Sequence, residues 1–384
     1  MTAHPDLTGT SDDLREMVRE FAAARIAPLV AELDETERFP SEIYQQMGGL
    51  GLFGITIDED DGGAGGTVAD YITVMEELSY GYASVADQCG LVELVASLLA
   101  AHGTPDQREQ YLPGLLAGTL RCSYALTEAG AGSDLGGVAT TARRDGDDWI
   151  LNGEKVFIHN APVADFAMVL AVTDASKRKR GGMSMFLVDV DQPGVERAYT
   201  EHKMGQRASP VGGFVFRDVR LPATALLGAE GTGFGAVLSV LEKGRLGIGA
   251  LANGITRSAV DTARDYAVGR RQFGQPIGAF QAVSFTLADM ATEYQAARLL
   301  LESGAARLDA GQEAGVACSM AKLFASETAV RTTGHAVQIL GGAGYIRGVP
   351  AERLYRDARV TTIYEGTSEV QRLIISRDLL GRLA

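Results

Sequence analysis

The feature that most constrains the fold is a change of hydrophobic period partway along the chain, and a change back. From about residue 11 to 120 the apolar residues keep helical spacing, with Leu14, Met17, Val18 and Phe21 on one helical face. Residues 70–78 and 83–101 continue that pattern after a glycine-rich loop at 62–66. From Cys122 to about Leu227 the chain becomes rich in Gly, Val and Thr, and short alternating runs are separated by the turn pairs Asp145-Gly146 and Asn152-Gly153. Residues 147–158 read as a hairpin, and 169–173, 185–190 and 213–216 as further strands. Long amphipathic segments return at 249–266, 280–308 and 319–339. This order predicts an α+β chain of helices, a β domain and helices again, and 384 residues suffice for a substantial core.

Charge and composition exclude several functions. A formal net charge of −14 argues against a nucleic-acid partner, because phosphate binding needs clustered Lys and Arg. The one basic cluster, Lys177-Arg178-Lys179-Arg180, precedes Gly181-Gly182 and reads as a solvated loop tip between strands. Cys89, Cys122 and Cys318 are odd in number and scattered, as expected for reduced thiols in a cytoplasmic protein. His4, His102, His159, His202 and His335 show no zinc-ligand spacing and no triad partner, so neither a metal nor a hydrolase is expected. The polar start does not read as a signal peptide. No apolar stretch is expected to span a membrane, since residues 91–101 are too short and are broken by Glu93. Gly49-Leu50-Gly51-Leu52-Phe53-Gly54 matches a dinucleotide fingerprint, but it ends a helical pattern instead of following a strand, so a helix end and turn are expected.

Two segments point to chemistry. Near the C-terminus the apolar, β-branched run Val360, Thr361, Thr362, Ile363 leads into Tyr364-Glu365-Gly366-Thr367-Ser368-Glu369. A helix follows, with Val370, Leu373, Ile374 and Leu380 at helical spacing; Thr367 or Ser368 can cap it, and Ser368 to Gln371 has capping-box spacing. Glu365 therefore sits at a sharp junction, able to present its side chain or its backbone N–H to a ligand. Far upstream, Tyr124-Ala125-Leu126-Thr127-Glu128-Ala129-Gly130-Ala131-Gly132-Ser133-Asp134 opens an apolar run into small and hydroxyl residues. Such a loop lets backbone N–H groups approach a planar or anionic ligand closely.

Together these segments resemble the acyl-CoA dehydrogenase family. The resemblance continues through Asn152-Gly153-Glu154-Lys155, Lys203-Met204-Gly205, the segment from Arg271 through Phe273 to Ile277, the segment from Ala336 to Tyr345, and Arg356-Asp357-Ala358, in family order over nearly the whole chain. It implies an N-terminal α-helical domain (1–120), a middle β-barrel or sandwich-like domain (121–231) and a C-terminal four-helix-bundle domain (232–384). It further implies FAD as cofactor, an acyl-CoA substrate dehydrogenated to the trans-2-enoyl thioester, and an electron-transferring flavoprotein as acceptor. The base would be Glu365, whose N–H would also polarise the thioester oxygen. The resemblance places Tyr124, Leu126, Thr127, Gly132 and Ser133 along the flavin, with Ser133 also toward the thioester, and Phe157 and His159 against the ring. Arg270, Phe273, Gln338, Gly341 and Gly342 match residues that reach FAD from a neighbouring subunit, which implies a homo-oligomer, by family habit a tetrameric dimer of dimers. Thr367 and Glu369 would contact the same cofactor; Tyr364 and Gly366 would flank the substrate.

Some relatives carry the base on another helix; the matching position here is Gly244, which sharpens the assignment to Glu365. Glu242 reads as a pantetheine contact or a structural residue, and Arg245 as a neighbour of CoA or a helix-surface salt bridge. The sequence departs from the family in two places. His159 stands where a Thr or Ser is usual; it is either a substitute neutral donor or a group that tunes the flavin or meets an unusual substrate. On the helix expected to line the acyl pocket, Asp87, Gln88 and Glu93 read first as a solvated face; turned inward, they would suit a polar acyl tail, and Gly90 would leave room. The same scaffold also suits an acyl-CoA oxidase, a desulfinase-like enzyme, a dehydrogenase of carrier-protein-bound acyl groups, or a non-catalytic acyl-CoA-binding module.

Overall fold

A computed structural model describes residues 12–381; His4 and the polar start of the chain lie outside the described residues. The chain opens with six helices: α1 (Asp12–Phe21), α2 (Val30–Thr36), α3 (Ser41–Gly49), α4 (Val68–Gly81), α5 (Ala83–His102) and α6 (Pro105–Leu116). Capping boxes start α4 at Thr67, with Asp70, and α6 at Thr104, with Gln107. As expected, the Gly49–Gly54 fingerprint is the end of α3 and the turn after it.

Strands follow: β1 (Cys122–Ala125), β2 (Thr141–Asp145), β3 (Asp148–His159), β4 (Phe166–Val172), β5 (Met183–Asp189), β6 (Val195–Thr200), β7 (Val211–Leu221) and β8 (Leu226–Leu227). They form one eight-stranded sheet in the order β6-β7-β3-β2-β4-β5-β8, with β1 parallel to β4 off that path. The β2–β3 hairpin turns at Asp145-Gly146. Asn152-Gly153 is not a turn: it lies inside β3, where the register against β7 shifts. A side chain at Gly153 would strike Thr140, whose Oγ1 lies 2.4 Å from an added Cβ, so this glycine marks a bulge under close packing. The Lys177–Arg180 cluster forms the exposed tip between β4 and β5.

The chain then continues as α7 (Gly233–Gly269), the two-strand pair β9 (Arg271–Gln272) and β10 (Gln275–Pro276), α8 (Gln281–Asp309), α9 (Gly315–Leu340), α10 (Pro350–Arg359) and α11 (Ser368–Leu380). Helices α7, α8 and α9 pack on one another, with α10 and α11 against α9.

Two hydrophobic cores hold these pieces. The larger is shared by the first and last sets of helices, because α4 and α5 pack on α7. The smaller lies within the sheet, around Trp149, Phe186, Phe214 and Phe216. β4 belongs to both: Ala167, Val169 and Ala171 face the sheet core, and Phe166, Met168, Leu170 and Val172 face the helices. This two-sided burial is why its sequence reads as an unbroken apolar run.

α5 corrects one expectation. With 20 residues it is long and apolar enough by composition to cross a membrane. Fifteen of those residues are buried within the protein, so it serves here as a core helix.

Candidate functional site

The β1 side of the site is built on a buried ion pair. Lys155, 1 % exposed on β3, passes its Nζ beneath the loop after β1 and donates to Leu126 O at 2.9 Å and Glu128 Oε1 at 2.8 Å. The Glu128 carboxylate also accepts from the Ala139 and Thr140 N–H groups at 2.6 and 3.0 Å. Burial alone would push Glu128 upward; Lys155 and these donors more than offset it, so its pKa lies below the ordinary value. Burial pulls Lys155 down to about 8 against the attraction of Glu128. Val156 N–H bonds Thr127 O at 3.0 Å, and Glu128 and Ala131 exchange backbone bonds at 3.0 Å. The loop is thereby fixed from below while Gly132 and Ser133 remain exposed above it.

The surface beside this loop has the form of a cradle. Gly130 and Gly132 have open space where side chains would stand. Phe157 is 65 % exposed and sits in the left-handed region at φ +56°, a strained conformation for an aromatic residue. The Tyr124 hydroxyl is sealed from solvent without a hydrogen-bond partner.

On the helical side, the run before Glu365 is a 3₁₀ turn, Val360–Thr362, and not a strand. Glu365 has φ +51° and Gly366 φ +87°. Thr367 caps α11, its hydroxyl accepting from Val370 N–H at 3.3 Å. The expected box between Ser368 and Gln371 does not form. Ser368 Oγ is buried without a partner, while the buried Gln371 amide turns inward and donates to Glu365 O at 3.3 Å and Gly366 O at 2.9 Å. Lys322 of α9 also donates to Gly366 O, at 2.8 Å.

The carboxylate itself is left unsatisfied. Glu365 Oε2 is buried with no hydrogen-bond partner, and among the described residues no acceptor takes the Glu365 N–H. A Cβ at Gly244 would lie 3.0 Å from Oε2, so positions 244 and 365 face the same space. Burial raises the Glu365 pKa; Lys322 and Arg245 oppose that rise, Asp87 adds to it, and the balance is upward.

Around this centre several expectations change. Tyr364 receives the Gln206 amide at 3.2 Å, and Gln206 is in turn tied to Asp357 of α10. Arg245 makes no ion pair among the described residues and its Nε is buried without a partner, so the helix-surface salt bridge is absent. Glu242, half-buried, lies against Gly315 at the start of α9.

Asp87, Gln88 and Glu93 are all buried, not solvated, because α5 runs through the core. Glu93 accepts from Ile55 and Thr56 N–H and from Lys243 Nζ at 2.9 Å, which ties a loop and α7 to α5. Ser209 Oγ lies 2.7 Å from Asp87 Oδ2 and 2.6 Å from His159 Nε2. A carboxylate only accepts, so the hydroxyl gives its proton to Asp87 and His159 is the donor at Nε2. Gln88 and Asn160 complete the cluster through paired amides at 2.8 and 3.0 Å. Burial holds the His159 pKa below its ordinary value despite Asp87. Nor does Gly90 leave room, since a Cβ there would lie 3.2 Å from Met75 Cε and 3.5 Å from Tyr71 Oη.

The remaining predicted residues do not gather around Glu365. Arg270, Phe273, Gln338, Gly341, Gly342 and Glu369 are exposed, on the β9–β10 hairpin, the C-terminal end of α9 and the start of α11. Phe273 is 92 % exposed at φ +51°. Conversely, sequence reasoning passed over Lys322, Gln371, Ser209 and Asn160. Lys322 had a visible signal, because it occupies the apolar stripe Cys318, Lys322, Ala325, Ala329 of α9.

Comparison with known proteins places this arrangement. The chain matches the acyl-CoA dehydrogenase N-terminal domain over residues 8–119, the middle domain over 123–219 and the C-terminal domain over 231–380. It is 42 % identical to a short-chain-specific acyl-CoA dehydrogenase of Clostridium acetobutylicum, over 97 % of this chain and 98 % of that one. It is also 42 % identical to the CarC subunit of the caffeyl-CoA reductase-Etf complex of Acetobacterium woodii, over 96 % and 98 %. The butyryl-CoA dehydrogenase structure from Megasphaera elsdenii superposes with a TM-score of 0.94 at 38 % identity, covering 98 % of this chain and all of that one. The chain belongs to the acyl-CoA dehydrogenase family and is an FAD-dependent oxidoreductase.

Proposed function

We propose that this protein removes two hydrogens from the α and β carbons of an acyl-CoA, with Glu365 as the base, yielding the trans-2-enoyl-CoA. The observation that carries this reading is the sealed, unpartnered Glu365 Oε2 at a strained junction facing the space beside Gly244. A buried carboxylate held above its ordinary pKa is a stronger base than a solvated one. The uncommitted Glu365 N–H suits it to donate to the thioester oxygen as charge develops there. Across from it, Tyr124, Leu126, Thr127 and the open Gly132–Ser133 edge, with Phe157, fit a planar isoalloxazine ring. When bound, the flavin supplies the acceptor for the β-hydrogen as hydride, which no side chain can provide.

The substrate reading is a short acyl group. Tyr71 is inserted between α5 and α7, where a Cβ at Gly247 would fall 2.1 Å from its hydroxyl, and with Met75 it fills the space at Gly90. An electron-transferring flavoprotein as acceptor is supported by the relative that works within an Etf complex.

The exposed Arg270, Phe273, Gln338, Gly341 and Gly342 fit a cofactor contact made in a neighbouring subunit. Phe273, Phe285 (62 % exposed) and Val268 (70 % exposed) add apolar surface that such an assembly would cover. The test is a visible spectrum of the purified protein followed by anaerobic mixing with butyryl-, octanoyl- and branched acyl-CoA. Flavin absorbance that bleaches fastest with butyryl-CoA is expected; a colourless protein, or no bleaching by any thioester, would overturn the reading.

A further inference from the structure

Among the described residues, Lys322 is the one ammonium group that reaches the junction carrying Glu365. It is 0 % exposed and sits on the buried stripe of α9. Its hydrogen bond goes to Gly366 O at 2.8 Å. That same oxygen is already served by Gln371 Nε2 at 2.9 Å, and Gln371 also reaches Glu365 O at 3.3 Å. A second donor is therefore not needed to satisfy the carbonyl, and burying an ammonium is costly. What the ammonium adds is charge, beside a carboxylate that makes no salt bridge among the described residues.

We propose that Lys322 is a positioning residue for the Glu365 centre: with Gln371 it fixes the Glu365–Gly366 turn, and it supplies positive charge to a carboxylate that has no salt bridge of its own. The proposal rests on the reading of Glu365 as the base. The groups facing Glu365 are Lys322 from α9, Arg245 from α7 and Asp87 from α5, with the phenols of Tyr71 (α4), Tyr124 (β1) and Tyr364. Burial pushes all three phenols upward, so they stay neutral. Of the charged groups, Lys322 and Arg245 favour the carboxylate and Asp87 opposes it, with Lys322 the stronger of the two cations. Lys322 itself faces Glu365, Arg245, Glu327 and Glu369, and burial lowers its pKa to about 8.

Two substitutions separate charge from geometry. Lys322→Gln keeps a donor and deletes the charge; Gln371→Met keeps the charge and loosens the turn. In K322Q the midpoint of the pH profile of anaerobic bleaching by butyryl-CoA should move up by about one pH unit. In Q371M the plateau should fall while the midpoint stays. A second readout is the protonated-carboxyl band of Glu365 in infrared difference spectra, identified by its loss in Glu365→Gln, which needs neither flavin nor turnover. It should titrate at higher pH in K322Q, and also in Lys322→Met, which deletes charge and donor together and replaces K322Q where that variant does not fold. A band and a bleaching profile that titrate as in the unsubstituted protein would reduce Lys322 to a carbonyl cap and overturn the proposal. Full-rate bleaching by E365Q would instead overturn the reading of Glu365 as base.

Discussion

Lys155 and Lys322 are buried alike, and each ends on a backbone carbonyl of a segment that lines the site, Leu126 O for the first and Gly366 O for the second. Burial pulls each down to about 8. They differ in the carboxylate beside them. Glu128 is locked onto Lys155 at 2.8 Å and onto two backbone N–H groups, and its pKa lies below the ordinary value. Glu365 has no such lock, keeps a bare buried oxygen, and its pKa lies above the ordinary value. The same pair of residue types thus makes a scaffold where the pair is closed and, where it is left open, the centre proposed here to be reactive.

The largest break in this comparison comes from the open pair. Glu365→Gln should slow anaerobic bleaching by about a thousandfold while leaving the flavin spectrum intact, which stopped-flow mixing would check. In the closed pair the loss should fall on stability instead. Lys155→Met strands the buried Glu128 charge and should cost about 3–5 kcal/mol in denaturant unfolding, with Lys155→Met/Glu128→Gln recovering much of it.

The pH dependence should run in opposite directions. Glu128 has a depressed folded-state pKa, so its contribution to stability is present above the unfolded value and is lost as pH falls through the folded one. Glu365 has a raised folded-state pKa, so the folded protein holds that proton more tightly, and this contribution is lost as pH rises from the unfolded value through the folded one. Glu365→Gln should therefore raise Tm at neutral pH and gain less near pH 4, whereas Glu128→Gln should lower Tm most at neutral pH. The smallest expected effect is at His159, whose Nε2 is already engaged by Ser209 and Asp87. His159→Thr should change the bleaching rate by about fivefold or less, the worth of roughly one hydrogen bond; a larger change, or a large shift in flavin potential, would show that the ring does more than fill a donor's place.

Much of the architecture was legible in the chain. The switch from helical to alternating period marks the two sets of helices and the sheet, and Gly366 with Thr367 marks the junction that sets Glu365 apart. Local rules failed where a distant neighbour outweighed them. Asn152-Gly153 has the composition of a turn, yet pairing with β7 and contact with Thr140 hold it as a bulge. Ser368 and Gln371 have the spacing of a capping box, yet Gln371 is drawn to the carbonyls of the Glu365–Gly366 turn.

The sequence by itself determined the order of helical and strand-forming blocks, and it put a lone carboxylate at a bend behind a helix cap, because backbone propensity and side-chain period act within a few residues. Only the tertiary structure decided which buried charges are answered. Glu93 meets Lys243 across 150 positions and Asp87 meets Ser209 across 122. Among the described residues, Glu365 meets no cation directly. Whether a charge is paired depends on desolvation and on partners brought by the fold, and neither leaves a trace in local order.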